Sequence, residues 1–193
     1  MFYQPKDGHG LPHNPFTAIV APRPIAWVSS RGRSGDNLAP YSFFNAVAYD
    51  PPQVMFASTG TKDSVVNIRQ TGVFCVNVVE AKRFRDMNAT SARLPAGTDE
   101  FAHARIPKAE CQQIDCPRVA DAPAALECKL WQVIDLPGRD NLLIVGEVIG
   151  VHLRDDCVTD GRFDWGFGTV ARMGYQDYAL PERYVTLPRP DGG

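Results

Sequence analysis

The chain has 193 residues, 44% of them hydrophobic and 22% charged, with a formal net charge of −2. That length suits one ordinary domain and buries roughly 70% of the unfolded surface, so no disulfide or metal is needed to hold a core. The charge balance argues against a sequence-independent nucleic-acid binder, which needs a basic face. No apolar run approaches the ~18 residues of a membrane-crossing helix.

Residues 1–10 lack the apolar stretch of a signal peptide, so the expected address is the cytoplasm. Cys75, Cys111, Cys116, Cys128 and Cys157 form an odd set without a CxxC pair and read as reduced thiols. Cys111, Cys116 and His103 fit no familiar zinc spacing, and no metal site is expected.

Residues 1–17, rich in Pro, Gly, His and Asn, read as an extended lead-in. Pro22 and Pro24 confine the next apolar segment to an edge or bulge. Residues 25–29 predict a strand, 31–35 a turn and 37–44 a returning strand. A short apolar strand over 53–58 follows. Residues 64–70 predict a helix, with Asp63 or Ser64 as N-cap and Gly72 just past its end. Residues 73–79 are rich in β-branched side chains and predict a strand; 80–93 look helical. Residues 94–110 are irregular. Long strands are expected over 125–136 and 141–153, and the tail from 181 is proline-rich coil. Strands do not alternate with helices of βαβ length, which favours a mainly β, antiparallel barrel with a few inserted helices in a single domain over 1–193.

Two segments carry chemistry. The hairpin Arg23-Pro-Ile-Ala-Trp-Val-Ser29 and Asn37-Leu-Ala-Pro-Tyr-Ser-Phe-Phe-Asn-Ala-Val47 breaks strand rules in its second arm. Pro40, Ser42, Asn45, Asp50, Pro51 and Pro52 interrupt an apolar run, leaving backbone free to meet a ligand. The second segment leads into the helix at Ser64. A helix N-terminus offers unpaired N–H groups and the positive end of the macrodipole to an anion. Here Ser58, Thr59 and Thr61 add hydroxyls, Gly60 allows close approach, Lys62 adds charge, and Ser64 and Asn67 lie within reach. The same residues also suit an ordinary capped helix with a solvated lysine. There is no GxxxxGK[ST] P-loop. Gly166-Phe-Gly-Thr-Val-Ala171 matches GxGxxG/A on paper but lacks a preceding strand.

With these motifs in view, the chain resembles the flavin reductase-like family of FMN-binding proteins. Lys62-Asp-Ser-Val-Val-Asn-Ile68, Gly146-Glu-Val-Ile-Gly-Val-His152 and Ala171-Arg-Met-Gly-Tyr175 extend the likeness over nearly the whole chain. The resemblance implies a Greek-key split β-barrel and a homodimer with FMN near the subunit interface. It also implies NAD(P)H-dependent reduction of FMN by hydride transfer to N5. Lys62, Asp63, Ser64 and Asn67, with Ser58 and Thr59 before them, would hold the phosphate. Pro24, Tyr41, Ser42, Phe43, Phe44 and Asn45 would line the isoalloxazine, with Arg23 beside the flavin or its phosphate.

By the same resemblance His152 and Ser42 are the catalytic candidates. His152 is placed to position the nicotinamide or serves as a structural strand residue, and Ser42 is placed to meet flavin N5. Arg172 is a candidate for flavin or substrate phosphate. Tyr175 and Tyr178 either stack over the flavin or pack. Two other readings are an FMN oxidoreductase with a different small organic substrate and an electron-transfer module without nicotinamide turnover. A monooxygenase consuming reduced flavin would be a partner. Residues 94–124 match no pattern and are a candidate cover for the site. No Ser-His-Asp or Cys-His arrangement stands out.

Overall fold

The computed structural model describes residues 1–188 and 190. After a 3₁₀ turn at Pro5–Asp7 come α1 (Phe16–Ile19) and strands β1 (Arg23–Pro24), β2 (Ala26–Gly32), β3 (Gly35–Tyr41), β4 (Phe44–Tyr49) and β5 (Pro52–Thr59). Helix α2 (Asp63–Thr71), strand β6 (Val73–Val78) and helices α3 (Phe84–Ala89) and α4 (Glu100–His103) follow. Strands β7 (Lys108–Glu110) and β8 (Pro117–Val119) precede two long strands, β9 (Ala124–Leu136) and β10 (Asn141–Leu153). The chain closes with β11 (Val158–Thr159), β12 (Arg162–Phe163), β13 (Ala171–Gly174) and β14 (Asp177–Ala179).

Seven strands make one antiparallel sheet in the order β3-β2-β6-β9-β10-β5-β4. Its two edge strands, β3 and β4, are consecutive in sequence and separated only by Ser42 and Phe43. The sheet therefore curls until its edges meet at one dipeptide, with a seam left unpaired. Register shifts in β10 at Val145/Gly146 and Val148/Gly150 bend the long β9–β10 ribbon to allow this. Tyr41 on β3 packs on Phe56 of β5 across the seam, ring centroids 4.6 Å apart. The expected antiparallel split barrel with few helices is what the chain forms.

Alternation along β2 and β3 sorts side chains between two cores. Val28 and Tyr41 point into the barrel with Phe56, Ile68, Phe74 and Ile144. Trp27 and Leu38 point outward, where Met87 of α3 and Phe101 of α4 cover them. Trp27 Nε1 donates to Thr90 Oγ1 at 2.9 Å, satisfying its one polar atom.

The local departures from expectation have physical causes. The returning strand stops at Tyr41 and restarts at Phe44, because Ser42 and Phe43 turn the corner of the seam. The helical stretch after β6 is broken into a 3₁₀ turn at Ala81–Arg83 and the six-residue α3, whose end leads into Thr90 beneath Trp27. Helix α2 begins at Asp63, so its N-cap position falls on Lys62 rather than on Asp63 or Ser64, and no side chain caps it. Gly72 ends it in the left-handed conformation (φ 72°), as its position predicts.

The irregular stretch 94–110 contains α4, capped by Asp99, which accepts from Phe101 N and Ala102 N. The lead-in folds back, and His13 packs on Tyr175 at 5.8 Å. Residues 181–188 lack regular structure, and residues 189 and 191–193 of the expected coil tail lie outside the described residues. No described helix is long and apolar enough to cross a membrane.

Candidate functional site: a cleft along the seam

Two adjoining hollows of about 580 and 620 Å³ lie beside the seam and share Pro40 and Ser91 in their walls. Together they form a cleft large enough for a nucleotide-sized ligand.

One end carries two cations. Lys62 and Arg93 line it together with Thr59, Asp63, Ser91 and Tyr41. The start of α2, bare of any side-chain cap, adds its free N–H groups to this end. Lys62 stands over the Tyr41 ring, Nζ 5.7 Å from the centroid, and the buried Tyr41 thereby holds it in place. Burial raises the Tyr41 phenol pKa, keeping it neutral beside Ser58 and Ser64. Two carboxyls share the same wall. Asp63 is turned to Gly97 N at 3.1 Å. Glu100 is buried and accepts from Asn37 Nδ2 and Leu38 N, both at 3.0 Å. Burial, aided by Asp63, raises its pKa and favours the uncharged form.

The other expected phosphate residues serve the scaffold. Ser64 donates to Asn37 Oδ1 at 2.6 Å. Asn67 donates to Ser30 Oγ and Gly35 O, both at 3.3 Å, and lies against Gly32. Ser58 donates to Gly60 O at 3.0 Å, tightening the turn before α2. All three are buried.

The far end of the cleft is walled by Ile25, Ser42, Met87, Asn88, Arg172, Gln176 and Tyr178. Arg172 lies 4.4 Å from the centroid of Tyr178 and donates to Tyr175 O. It faces Arg23 in the β1–β13 ladder. Burial first, then the Arg172 charge, lowers the Arg23 pKa. Arg23 itself is buried, donates to Thr17 O and Val20 O at the end of α1, and lies 5.6 Å from the Phe43 centroid.

Ser42 also borders a separate apolar groove of about 630 Å³. This is where Pro24, Phe43, Phe44 and Asn45 sit, with Phe16, Ile19 and Leu143. The proposed isoalloxazine residues are thus split between two faces of the seam, and Ser42 is the one common to both.

His152 lies outside both faces. Its Nε2 donates to Glu127 Oε1. Glu127 is 1% exposed and also accepts from Gln112 N and Gln113 N, both at 2.7 Å. Burial pushes the Glu127 pKa up, but these N–H donors and His152 outweigh it and hold the carboxyl below its ordinary range. A depressed folded pKa stabilises the fold above the unfolded carboxylate value of about 4.3 and ceases to do so as pH falls through the folded value. Glu127→Gln should cost about 1–3 kcal/mol at neutral pH, and its stability should fall less steeply below about pH 4 than wild type. Urea midpoints across pH check this; parallel curves would refute it.

Sequence reasoning missed Asn88, Ser91, Arg93 and Gln176. The polar run Asn88-Ala-Thr-Ser-Ala-Arg93 directly after an apolar segment was the available signal. Among the described residues, no group of three or more His, Cys, Asp or Glu is arranged to hold a metal.

The sequence matches the Flavin reductase like domain over residues 20–168. The chain belongs to the flavin reductase-like family. An uncharacterised family relative from Deinococcus radiodurans is 45% identical over 156 residues, which is 76% of this chain and 68% of that one. Nitrilotriacetate monooxygenase component B from Bacillus cereus superposes with a TM-score of 0.85 at 28% identity, over 93% of this chain and all of that one. The 2-nitrobenzoate 2-nitroreductase of Pseudomonas fluorescens gives 0.82 at 31%, over 91% and 88% of the two chains. Membership of the flavin reductase-like family supports a flavin-related oxidoreductase, and the split barrel seen here is its fold.

Proposed function

We propose that this protein binds FMN along the seam cleft and uses NADH or NADPH to reduce it. The observation that carries the reading is the asymmetry of the cleft. One end joins the uncapped start of α2 to Lys62 and Arg93, which form no salt bridge among the described residues, and the other offers Ser42, Asn88, Gln176 and Arg172 around an apolar wall. That donor set suits a phosphate at one end and a planar heterocycle at the other. FMN, when bound, supplies the redox chemistry, and the protein supplies position, electrostatics and exclusion of water.

Lys62 and Arg93 would pair with the phosphate, helped by the α2 N–H groups and the Thr59 hydroxyl. The raised pKa of Glu100, and the turn of Asp63 toward Gly97 N, limit the repulsion an arriving dianion would meet. Ser42 would present its hydroxyl at the ring edge from the corner of the seam. Arg172 and its Tyr178 platform would hold the pyrimidine side or the dinucleotide phosphate. His152, tied to Glu127, would act from a second copy of the chain or serve structure alone.

A homodimer fits the surface. The edge strand β4 leaves Val47 and Tyr49 exposed, Tyr49 at 95%, and Phe16, Ile19 and Phe43 extend the apolar face. An unpaired apolar edge of this kind calls for a partner. The likeness to a monooxygenase component favours delivery of reduced flavin to a second enzyme. The nitroreductase likeness favours a small organic acceptor instead.

The test is direct. The purified protein should bind FMN and turn yellow, and should oxidise NADH or NADPH faster when FMN is added. A protein that takes up no flavin overturns the proposal. A yellow protein inert to both nicotinamides replaces it with electron transfer, and nitroaromatic-dependent turnover with the organic-acceptor reading.

A further inference from the structure

Three thiols meet at a point the flavin reading does not use. Strands β7 and β8 pair Lys108 with Val119, Ala109 with Arg118 and Glu110 with Pro117. The next facing pair is Cys111 and Cys116, and Cys111 N donates to Cys116 O at 3.0 Å. Directly facing residues of an antiparallel pair have Cα atoms roughly 4.5–5.5 Å apart, inside the roughly 4.4–6.8 Å that a disulfide spans. Cys75 of β6 joins them from below, in a cluster with Ile114 and Ala125. All three sulfurs are free thiols.

Their environments differ. Cys75 and Cys116 are fully buried, whereas Cys111 is partly exposed. The neighbouring Cys116 and then Cys75 thiols lower the Cys111 pKa, against burial and the Glu127 charge and with help from His152. The same contacts and burial push Cys75 and Cys116 up. A partly exposed thiol thus sits against two buried ones, the arrangement that separates an attacking sulfur from a resolving one.

We propose that Cys111 is a redox-active thiol that reacts with hydrogen peroxide and is resolved by Cys116. The Cys111 thiolate attacks the peroxide oxygen; an S–O bond forms, the O–O bond breaks, and the departing hydroxide leaves as water after taking a proton. The Cys116 sulfur, losing its proton, then attacks the Cys111 sulfenic acid. The S–S bond forms, the S–O bond breaks, and a second water leaves. Two thiols lose two electrons in all, and one peroxide is reduced to two waters. The loop between the two cysteines carries Gln112 and Gln113, whose backbone N–H groups hold Glu127, so the oxidation state of Cys111 bears on the Glu127–His152 pair.

The test uses the full-length protein with stoichiometric hydrogen peroxide, followed by alkylation of remaining thiols and tryptic mass mapping. Cleavage after Lys108 and Arg118 places both cysteines in one peptide, 109–118. Peroxide should remove two of the five thiols and leave that peptide lighter by two hydrogens and unalkylated. Cys111→Ser should keep all its remaining thiols, and Cys116→Ser should leave a Cys111 sulfenic acid that dimedone traps. Full alkylation of all five after peroxide, or loss of two thiols that persists in Cys111→Ser, overturns the proposal. A cross-link from peptide 109–118 to the Cys75 peptide overturns the choice of Cys116 as resolving thiol.

Discussion

Removing both cations at the α2 end of the cleft, Lys62→Ala with Arg93→Ala, should weaken FMN binding roughly 100-fold, about 2.7 kcal/mol. Each charge-assisted contact to a phosphate contributes about 1.5–3 kcal/mol, and neighbouring contacts share the loss rather than adding fully. Both side chains are exposed and reach the cleft from the surface, and the contact of Lys62 with the Tyr41 ring is the one packing interaction at stake, so the fold should be little affected. Riboflavin, which lacks the phosphate, should bind wild type and variant alike. Quenching of flavin fluorescence reads both affinities. An unchanged FMN affinity, or an equal loss for riboflavin, would mean that the phosphate does not lie between Lys62 and Arg93.

Phe74→Ala should cost about 3–5 kcal/mol of stability. Phe74 is wholly buried at the centre of the barrel and packs edge-on against Phe56, ring centroids 5.6 Å apart. On its other side the ring occupies the space beside Gly146. A Cβ there would come within 2.5 Å of the Phe74 ring. The bulge of β10 and the ring of β6 are therefore fitted to each other, and the surrounding strands cannot close the void. Urea unfolding followed by circular dichroism measures the change. A loss below about 1 kcal/mol would show that the barrel collapses around the gap, contrary to the close packing seen here.

The parts of this fold that were legible are those written in local pattern. Alternating and β-branched runs gave β5, β6, β9 and β10 nearly to their ends, and Gly72 marked the end of α2. The prolines and polar residues of the second hairpin arm marked the seam, but not its geometry. No pattern states that β3 and β4 become opposite edges of one sheet, because that follows from pairings across the whole chain.

The same limit applies at the site. Lys62 and Ser42 border the cleft. Ser64 and Asn67 have the right chemistry at the right spacing, yet both face inward to Asn37, Ser30 and Gly35. Which face of a nine-residue helix points to the cleft is decided by what packs beneath it. Arg93 was hidden for the converse reason. It follows a segment that reads as helix, and only the tertiary fold brings it beside Lys62.

The central claim is that a flavin lies along the seam with its phosphate at the start of α2. A crystal structure of the protein grown with FMN tests this most directly. The account predicts phosphate density between Lys62, Arg93 and the first N–H groups of α2, with the ring running past Pro40 to Ser42 and Arg172. Phosphate bound instead at the Arg23–Arg172 pair, or flavin density away from the seam, would contradict it.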